Sequence, residues 1–405
     1  MNDKKTSSIG PLLIIGILFF VFGFVTWVNG TLISFFKTAF GLSNTGSYWV
    51  TFAFFISYTV MAIPSSEVLK VVGFKKGMSL GLFVMAIGTA IFIPAANIVS
   101  YPMFLVGLFT IGIGLTVLQT ASNPYVTILG PKESAAQRIS FMGVANKIGG
   151  IISQKALGVI LIGTSSTIVA NLSPEQQLAK VVTPYMYLTG ALVVLGVLVM
   201  FIKGLPEIEA ENENESAGAS SSIFSHANLV LGCIALFCCV GLEVMVGDTI
   251  IVYGEQLGFS KDIAKDFGTY VLWAMLAGYF AGIAFIPKVI SQQKILSLAG
   301  IFGIIMTLVA VFTTGYASIF SLAALGMANA IMWPAIWPLA LDGLGRHTKL
   351  GSAFLIMMIA GGALLPLVYG QLSDMFNTQK AYLFMIPLYL VVFYFGFKGY
   401  KNKTW

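Results

Sequence analysis

The sequence predicts an all-α membrane protein with twelve transmembrane helices, arranged as two pseudo-symmetric bundles of six. Three observations lead to this fold class: the composition, the spacing of apolar segments and an internal repeat. Of the 405 residues, 57% are hydrophobic and 9% are charged, whereas soluble domains carry about 25% charged residues. The mean hydropathy of +0.90 and the 43 glycines are typical of closely packed membrane helices.

Apolar segments of membrane-spanning length follow one another along the chain. A span needs about 20 mostly apolar residues. The segments that meet this requirement are 9–36, 47–72, 78–97, 101–127, 139–163, 183–203, 227–252, 266–287, 295–314, 318–341, 351–372 and 380–398. An even number of spans places both termini on the same side of the membrane.

The distribution of basic residues predicts which side that is. If the termini are cytoplasmic, fifteen lysines and arginines fall on the cytoplasmic side and five on the other. Cytoplasmic loops carry the excess of Lys and Arg, so we expect both termini in the cytoplasm. One loop, Glu207–Ser222, is acidic and Ser-rich without apolar periodicity, which is typical of a flexible linker. It divides the chain into a first bundle (1–204), a linker (205–225) and a second bundle (226–405).

The two bundles resemble each other in sequence. VNGTLI (Val28–Ile33) matches VGDTII (Val246–Ile251) at an offset of 218 residues, and Lys70 falls on Lys288 at the same offset. A shared offset on either side of the linker indicates duplication. Two parallel six-helix halves are typical of secondary transporters, which hold the substrate between the halves near the membrane midplane.

Other function classes lack support in the sequence. The net charge of +6 is spread over short loops and forms no basic face with interleaved aromatics, so we expect no nucleic-acid partner. No Gly-rich run ends in Gly-Lys-Ser/Thr, so ATP does not drive the protein. An intramembrane enzyme acting on lipid-linked sugar is the alternative of another class, but it would need a cluster of acids, histidines or metal ligands. We therefore expect a transporter without catalytic residues, metal or cofactor.

Four stretches carry a family resemblance. They are Phe24–Phe36, Leu118–Gly150 with the motif NPYVTILGP, Glu243–Phe259, and Trp333–Arg346 with the motif WPAIWPLALDGLGR. Together they resemble the fucose permease branch of the major facilitator superfamily, and within it the bacterial glucose/galactose transporters. The resemblance runs over nearly the whole chain. It implies a monomeric sugar symporter of the bacterial inner membrane that works by alternating access.

The resemblance also implies which features of the branch are replaced here. Fucose permease has an Asp in its first helix where this chain has Gly30, and a Glu before the NP motif where this chain has Gln119. Glucose or galactose is therefore the expected substrate, with N-acetylglucosamine, mannose and fucose as alternatives. Members of the branch couple to sodium or to protons, and either ion is compatible with this sequence.

Two acids in the seventh predicted span are candidates for the coupling cation. An ionised side chain within a span costs about 2.5–3.5 kcal/mol on insertion scales, so such residues are functional candidates. Asp248 lies at the repeat position of Gly30, and we predict that it binds the cation, together with Glu243. The alternative for Asp248 is a solvated position near the outer end of the span.

Amide and aromatic side chains in the spans predict the sugar site. Amides both donate and accept hydrogen bonds, as hexose hydroxyls require, and an indole can stack on the C–H face of a sugar. The predicted sugar-binding residues are Asn29, Gln119, Asn123, Asn146, Lys147, Gln154, Asn329 and Trp333. The resemblance implies sugar contact for Asn146. Lys147 either donates to sugar hydroxyls, pairs with an acid of the other bundle, or extends its amine toward the cytoplasmic surface.

Overall fold

The protein is a bundle of long antiparallel helices. The computed structural model describes residues 9–129, 135–163, 172–202, 205, 223–286 and 289–403, and no β-strand occurs among them. In the first half the described α-helices are α1 (Ile9–Trp27), α2 (Asn29–Ala39), α3 (Asn44–Val72), α4 (Phe74–Asn97), α5 (Tyr101–Ile128), α6 (Ala135–Leu157) and α7 (Pro174–Phe201). A π-helical turn, Gly158–Ile162, extends α6.

The second half repeats this arrangement. Its described α-helices are α8 (Ala227–Gln256), α9 (Lys261–Ala264), α10 (Phe267–Phe285), α11 (Gln292–Phe312), α12 (Gly315–Leu341), α13 (Thr348–Met357), α14 (Ala360–Met375), α15 (Thr378–Ala381) and α16 (Met385–Phe397). The sixteen described helices make twelve passes. Four passes consist of two consecutive helices each, namely α1 with α2, α9 with α10, α13 with α14, and α15 with α16, and each remaining helix makes one pass. The predicted all-α fold with twelve spans is confirmed. Most of the predicted linker 205–225 lies outside the described residues.

Eleven of these passes in the described chain are long and apolar enough to cross a membrane. The remaining pass is α6, whose hydropathy is lowered by Asn146, Lys147, Gln154 and Lys155. Because α6 packs against α1 and α10 inside the bundle, Asn146, Lys147 and Gln154 are covered by protein, whereas Lys155 is exposed. The polarity of α6 is thus the first structural sign of an internal polar site.

Local sequence sets where several helices begin. Ser43 accepts a hydrogen bond from the Gly46 amide at the start of α3, and Ser173 forms a capping box with Gln176 at the start of α7; both satisfy amide groups that a helix leaves unpaired at its N-terminus. The pass predicted as 183–203 therefore begins earlier, at Pro174. The first turns of this helix are polar, so the hydropathy of the sequence does not show where the helix begins.

Glycines allow the helix backbones to approach closely within each half. A Cβ on Gly81 of α4 would lie 2.7 Å from the Gly114 carbonyl oxygen of α5, and a Cβ on Gly23 of α1 would overlap the backbone of Asn146 on α6. Only a residue without a side chain fits at such crossings, as is common where membrane helices pack. These crossings fix the position of α6 and its polar side chains relative to α1.

Candidate functional site

The two halves are joined by hydrogen bonds on the face of the bundle opposite the termini, which we call the distal face. The Asp374 carboxylate at the end of α14 accepts hydrogen bonds from the Asn44 and Thr45 amides at the start of α3, at 3.0 and 2.9 Å. Gln256 donates to the Asn44 side chain at 3.0 Å. Another bond between the halves joins Ser34 to Glu255. The described halves are therefore closed on the distal face.

An ion pair between the halves lies deeper in the bundle. The Lys147 amine on α6 is 3.0 Å from a Glu243 carboxylate oxygen on α8, and the two side chains are only 5% and 16% exposed. The same amine lies 4.1 Å from the centre of the Trp27 ring, where a cation–π attraction adds to the pair. Of the three alternatives for Lys147, the structure contains the pairing with an acid of the other half. It does not extend to the surface.

Trp27 connects this ion pair to two predicted sugar-binding amides. Its indole N–H donates to the Asn146 side chain at 3.1 Å, and its carbonyl accepts from the Gln154 amide at 2.8 Å. The ring fits against two glycines of different halves: a Cβ on Gly150 would lie 2.6 Å from it and a Cβ on Gly247 would lie 2.5 Å from it. The structure thus brings Asn146, Lys147 and Gln154 together around one indole at the boundary between the halves.

Asp248 lies next to this cluster, on the adjacent turns of α8. It is 2% exposed and accepts a hydrogen bond from Thr51 of α3 at 2.9 Å. The alternative of a solvated Asp248 near the outer end of the span is therefore wrong. A buried ionised carboxylate requires a compensating partner, and within the described chain no basic side chain is paired with Asp248. The hydroxyl of the neighbouring Thr249 is directed elsewhere, to Met245 and Tyr382.

The repeat-related positions touch across the boundary between the halves. A Cβ on Gly30 would lie 3.1 Å from the Gly247 carbonyl oxygen and 3.3 Å from the Cα of Asp248. Gly30 is thus packed directly against Asp248 of the other half. A Cβ at position 30 would require α2 and α8 to separate by a few tenths of an ångström.

Gln119 and Asn123 are not part of this contact network. They continue a stripe of α5 that begins with the buried residues Gly112 and Thr116; Gln119 is half-buried and Asn123 is exposed. Exposure along this stripe therefore increases toward the face that carries the termini, which we call the terminal face. Neither amide forms a side-chain hydrogen bond with a described residue, and sugar contact by either remains a prediction.

The other predicted sugar-binding residues are spread over both halves. Asn29 is fully buried, and neither atom of its amide has a hydrogen-bond partner in the described chain. Asn329 on α12 accepts from the Tyr389 hydroxyl at 3.0 Å, while Trp333 stacks on Trp337 with 5.5 Å between ring centres. Leaving a buried polar group unpaired costs about 1–3 kcal/mol. Sugar contact by Asn29 remains a prediction.

Several contacts between the halves were not predicted from the sequence. Thr51 is one of many threonines in the spans, and nothing in its local sequence distinguishes it. The Lys155 amine lies 2.7 Å from an Asp266 carboxylate oxygen of the other half, and nothing in the sequence indicates this ion pair. Asp374 comes just after a predicted span, where the sequence indicates an ordinary loop residue. Within the described chain no three His, Cys, Asp or Glu side chains are grouped as metal ligands.

The two six-helix halves meet at a closed distal face, and buried charged side chains lie between them. This architecture is that of a membrane transporter and not of an enzyme. The sequence pattern of the Major Facilitator Superfamily matches residues 15–359, and this chain belongs to that superfamily. The family predicted from the sequence motifs is thereby confirmed, as is the multi-pass membrane location.

Curated relatives and solved structures agree with this assignment. The glucose/galactose transporter of Brucella abortus is 36% identical over 389 residues, covering 95% of this chain and 93% of the relative. The L-fucose-proton symporter of Escherichia coli is 30% identical and covers 99% of this chain and 95% of its own length. The crystal structure of the transporter FucP in the outward conformation superimposes with a TM-score of 0.73 at 30% identity, covering 96% of this chain and 98% of that one.

Proposed function

We propose that the protein imports a hexose of the glucose/galactose type by cation symport and alternating access. The observation that carries this proposal is the buried boundary between the halves, where Lys147, Glu243 and Asp248 lie beside open amide groups. Transporters of this architecture bind substrate and ion between their halves. The names of the relatives support the substrate class, with N-acetylglucosamine, mannose and fucose as alternatives within the same branch.

In this proposal the sugar binds on the terminal side of Trp27. Asn146, Lys147 and Gln154 supply donors and acceptors from α6, Asn29 contributes from α2, and Gln119 with Asn123 contribute from α5. Asn329 and Trp333 contribute the corresponding wall of the second half. The ring of Trp27 is covered by Lys147 at 4.1 Å, so a sugar reaches this indole only when the amine moves.

Asp248 is proposed to carry the coupling cation, with Glu243 as a second participant. Its burial makes an ionised carboxylate costly unless a cation is bound or a proton is taken up. Proton coupling is the function named for the fucose symporters, and a carboxylate is equally suited to sodium. The residue type therefore does not distinguish a proton from sodium as the coupling ion, and a transport measurement under each gradient does.

The closed distal face suggests which state of the cycle the structure represents. The basic-residue distribution predicts cytoplasmic termini in a bacterial inner membrane, so in this proposal the closed distal face is the periplasmic one and the molecule is not open to the outside. The proposed division into bundles 1–204 and 226–405 then corresponds to the two bodies that rock against each other. We expect a monomer to be sufficient, because the site lies within one chain.

Uptake into proteoliposomes tests the proposal. Labelled D-glucose and D-galactose are supplied under a sodium gradient alone and under a proton gradient alone, with unlabelled N-acetylglucosamine, mannose and fucose as competitors. We expect accumulation above equilibrium under one of the two gradients, and its collapse when an ionophore dissipates that gradient. Absence of uptake for both labelled sugars under both gradients would overturn the proposed function.

A further inference from the structure

A polar cavity lies on the distal face, away from the Trp27 cluster. It has a volume of about 360 Å³ and is lined by Asn44, Tyr253, Gln256, Leu257, Ser373, Asp374, Asn377, Thr378 and Gln379. Small-molecule sites have volumes of about 300–1,000 Å³. Gln256, Asp374 and Asn377 are exposed, so the cavity opens directly to the aqueous phase on this face.

The lining offers hydrogen-bonding groups that have no partner among the described residues. Asn377 uses its side-chain oxygen to cap α15 through the Gln379 and Lys380 amides, which leaves its NH₂ group without a partner in the described chain. Gln256 and Gln379 bond through their NH₂ groups, so their side-chain oxygens are likewise open among the described residues. The Asp374 carboxylate is engaged by Asn44 and Thr45.

This combination suits a small neutral polyol. Open amide oxygens accept hydrogen bonds from hydroxyl groups, and the open NH₂ group donates to them. Leu257 and the Tyr253 ring provide an apolar surface for C–H groups. The Asp374 carboxylate keeps its charge while it accepts hydrogen bonds from Asn44 and Thr45, and a carboxylate oxygen also accepts hydrogen bonds from sugar hydroxyls.

The position of the cavity relates it to the junction between the halves. Asn44 comes from the first half, and every other lining residue comes from the second. Asn44 is also the residue to which Gln256, Asp374 and Ser373 bond across the boundary. When the halves separate distally, the cavity therefore loses one wall and keeps the others, so a ligand bound there remains held by the second half.

We propose that this cavity is a second monosaccharide subsite, which captures sugar at the distal face before the halves open to admit it. The inference rests on the proposed function for the class of ligand. The subsite is accessible from the distal side only, so it assists influx and is not used in efflux from the terminal side.

Sided transport kinetics with Asn377→Asp test the subsite. This variant keeps the oxygen that caps α15 and replaces the open NH₂ donor with an acceptor. Influx and efflux of D-galactose and D-glucose are measured in proteoliposomes of determined orientation. We expect the half-saturating concentration for influx to rise about fivefold to tenfold, as loss of roughly one hydrogen bond implies, while that for efflux is unchanged. Asn97→Asp, the same change at an exposed distal position outside the cavity, should alter neither.

A second variant distinguishes loss of the subsite from a folding defect in Asn377→Asp. Leu257→Phe narrows the cavity without removing a side-chain hydrogen bond, and it should produce a one-sided increase in the same direction. Equal shifts of influx and efflux in Leu257→Phe, or no shift in either, would overturn the subsite. A wild-type protein that transports no sugar would instead overturn the proposed function itself, so the two failures are distinguishable.

Discussion

The Lys147 amine and the Glu243 carboxylate lie 3.0 Å apart on helices of different halves and are almost inaccessible to solvent. Removing one member of a buried ion pair leaves an uncompensated charge, whereas removing both does not. The pair therefore joins the halves at the depth where substrate is proposed to bind, and its rupture accompanies their separation.

We predict a strongly non-additive response to neutralising this pair. Lys147→Met or Glu243→Gln alone should destabilise the protein by about 3–5 kcal/mol, and the double variant should recover much of that loss. Thermal unfolding in detergent measures the effect. Glu67→Gln, in the exposed pair with Lys70, serves as the control and should change stability little. Additive losses in the double variant would show that the two charges are not coupled.

Neutralising Asp248 should separate accumulation from exchange. In Asp248→Asn the side chain still fits beside Thr51, but it no longer carries the charge that attracts a cation. We expect uphill sugar accumulation to fall to the equilibrium level while sugar–sugar exchange persists. The matched control is Asp342→Asn, at an exposed acid paired with Lys403. Normal accumulation by Asp248→Asn would contradict the coupling role.

Gln119 should affect sugar affinity and not the coupling. Its amide has no side-chain hydrogen-bond partner among the described residues, so Gln119→Ala removes no described side-chain hydrogen bond within the protein. We expect the half-saturating sugar concentration to rise about fivefold, as loss of roughly 1 kcal/mol implies. Gln371→Ala, at an exposed position of α14, is the comparison. An unchanged affinity in Gln119→Ala would remove Gln119 from the sugar site.

Two glycines of α1 should respond differently to alanine. A Cβ on Gly23 would overlap the Asn146 backbone, whereas a Cβ on Gly16 meets nothing within 4 Å. Gly23→Ala should therefore lower the thermal midpoint and the yield of folded protein, because α1 and α6 must move apart. Gly16→Ala makes the same change in helix propensity without the clash, and it should be neutral or stabilising. Equal behaviour of the two variants would contradict the tight α1–α6 crossing.

The structure brings some of the predicted site residues into contact and leaves others apart. Asn146, Lys147 and Gln154 are found around Trp27, since spacings of one and seven residues keep them near one side of α6. Gln119 and Asn123 share a stripe of α5, as their spacing predicts, but that stripe makes no contact with the Trp27 cluster in the described contacts. Helical periodicity specifies which side chains share a face, whereas the direction of that face depends on packing against other helices.

The sequence by itself determined the membrane fold, the twelve passes and the two halves, because lipid offers no hydrogen bonds and each pass must be a long apolar helix. It also marked Lys147, Glu243 and Asp248, since charges within spans are costly. Only the tertiary structure decided that Lys147 pairs with Glu243, that Thr51 bonds Asp248, and that Gly30 packs against its repeat partner. These partners are far apart in the chain, and the close approach of helices from different halves brings them together.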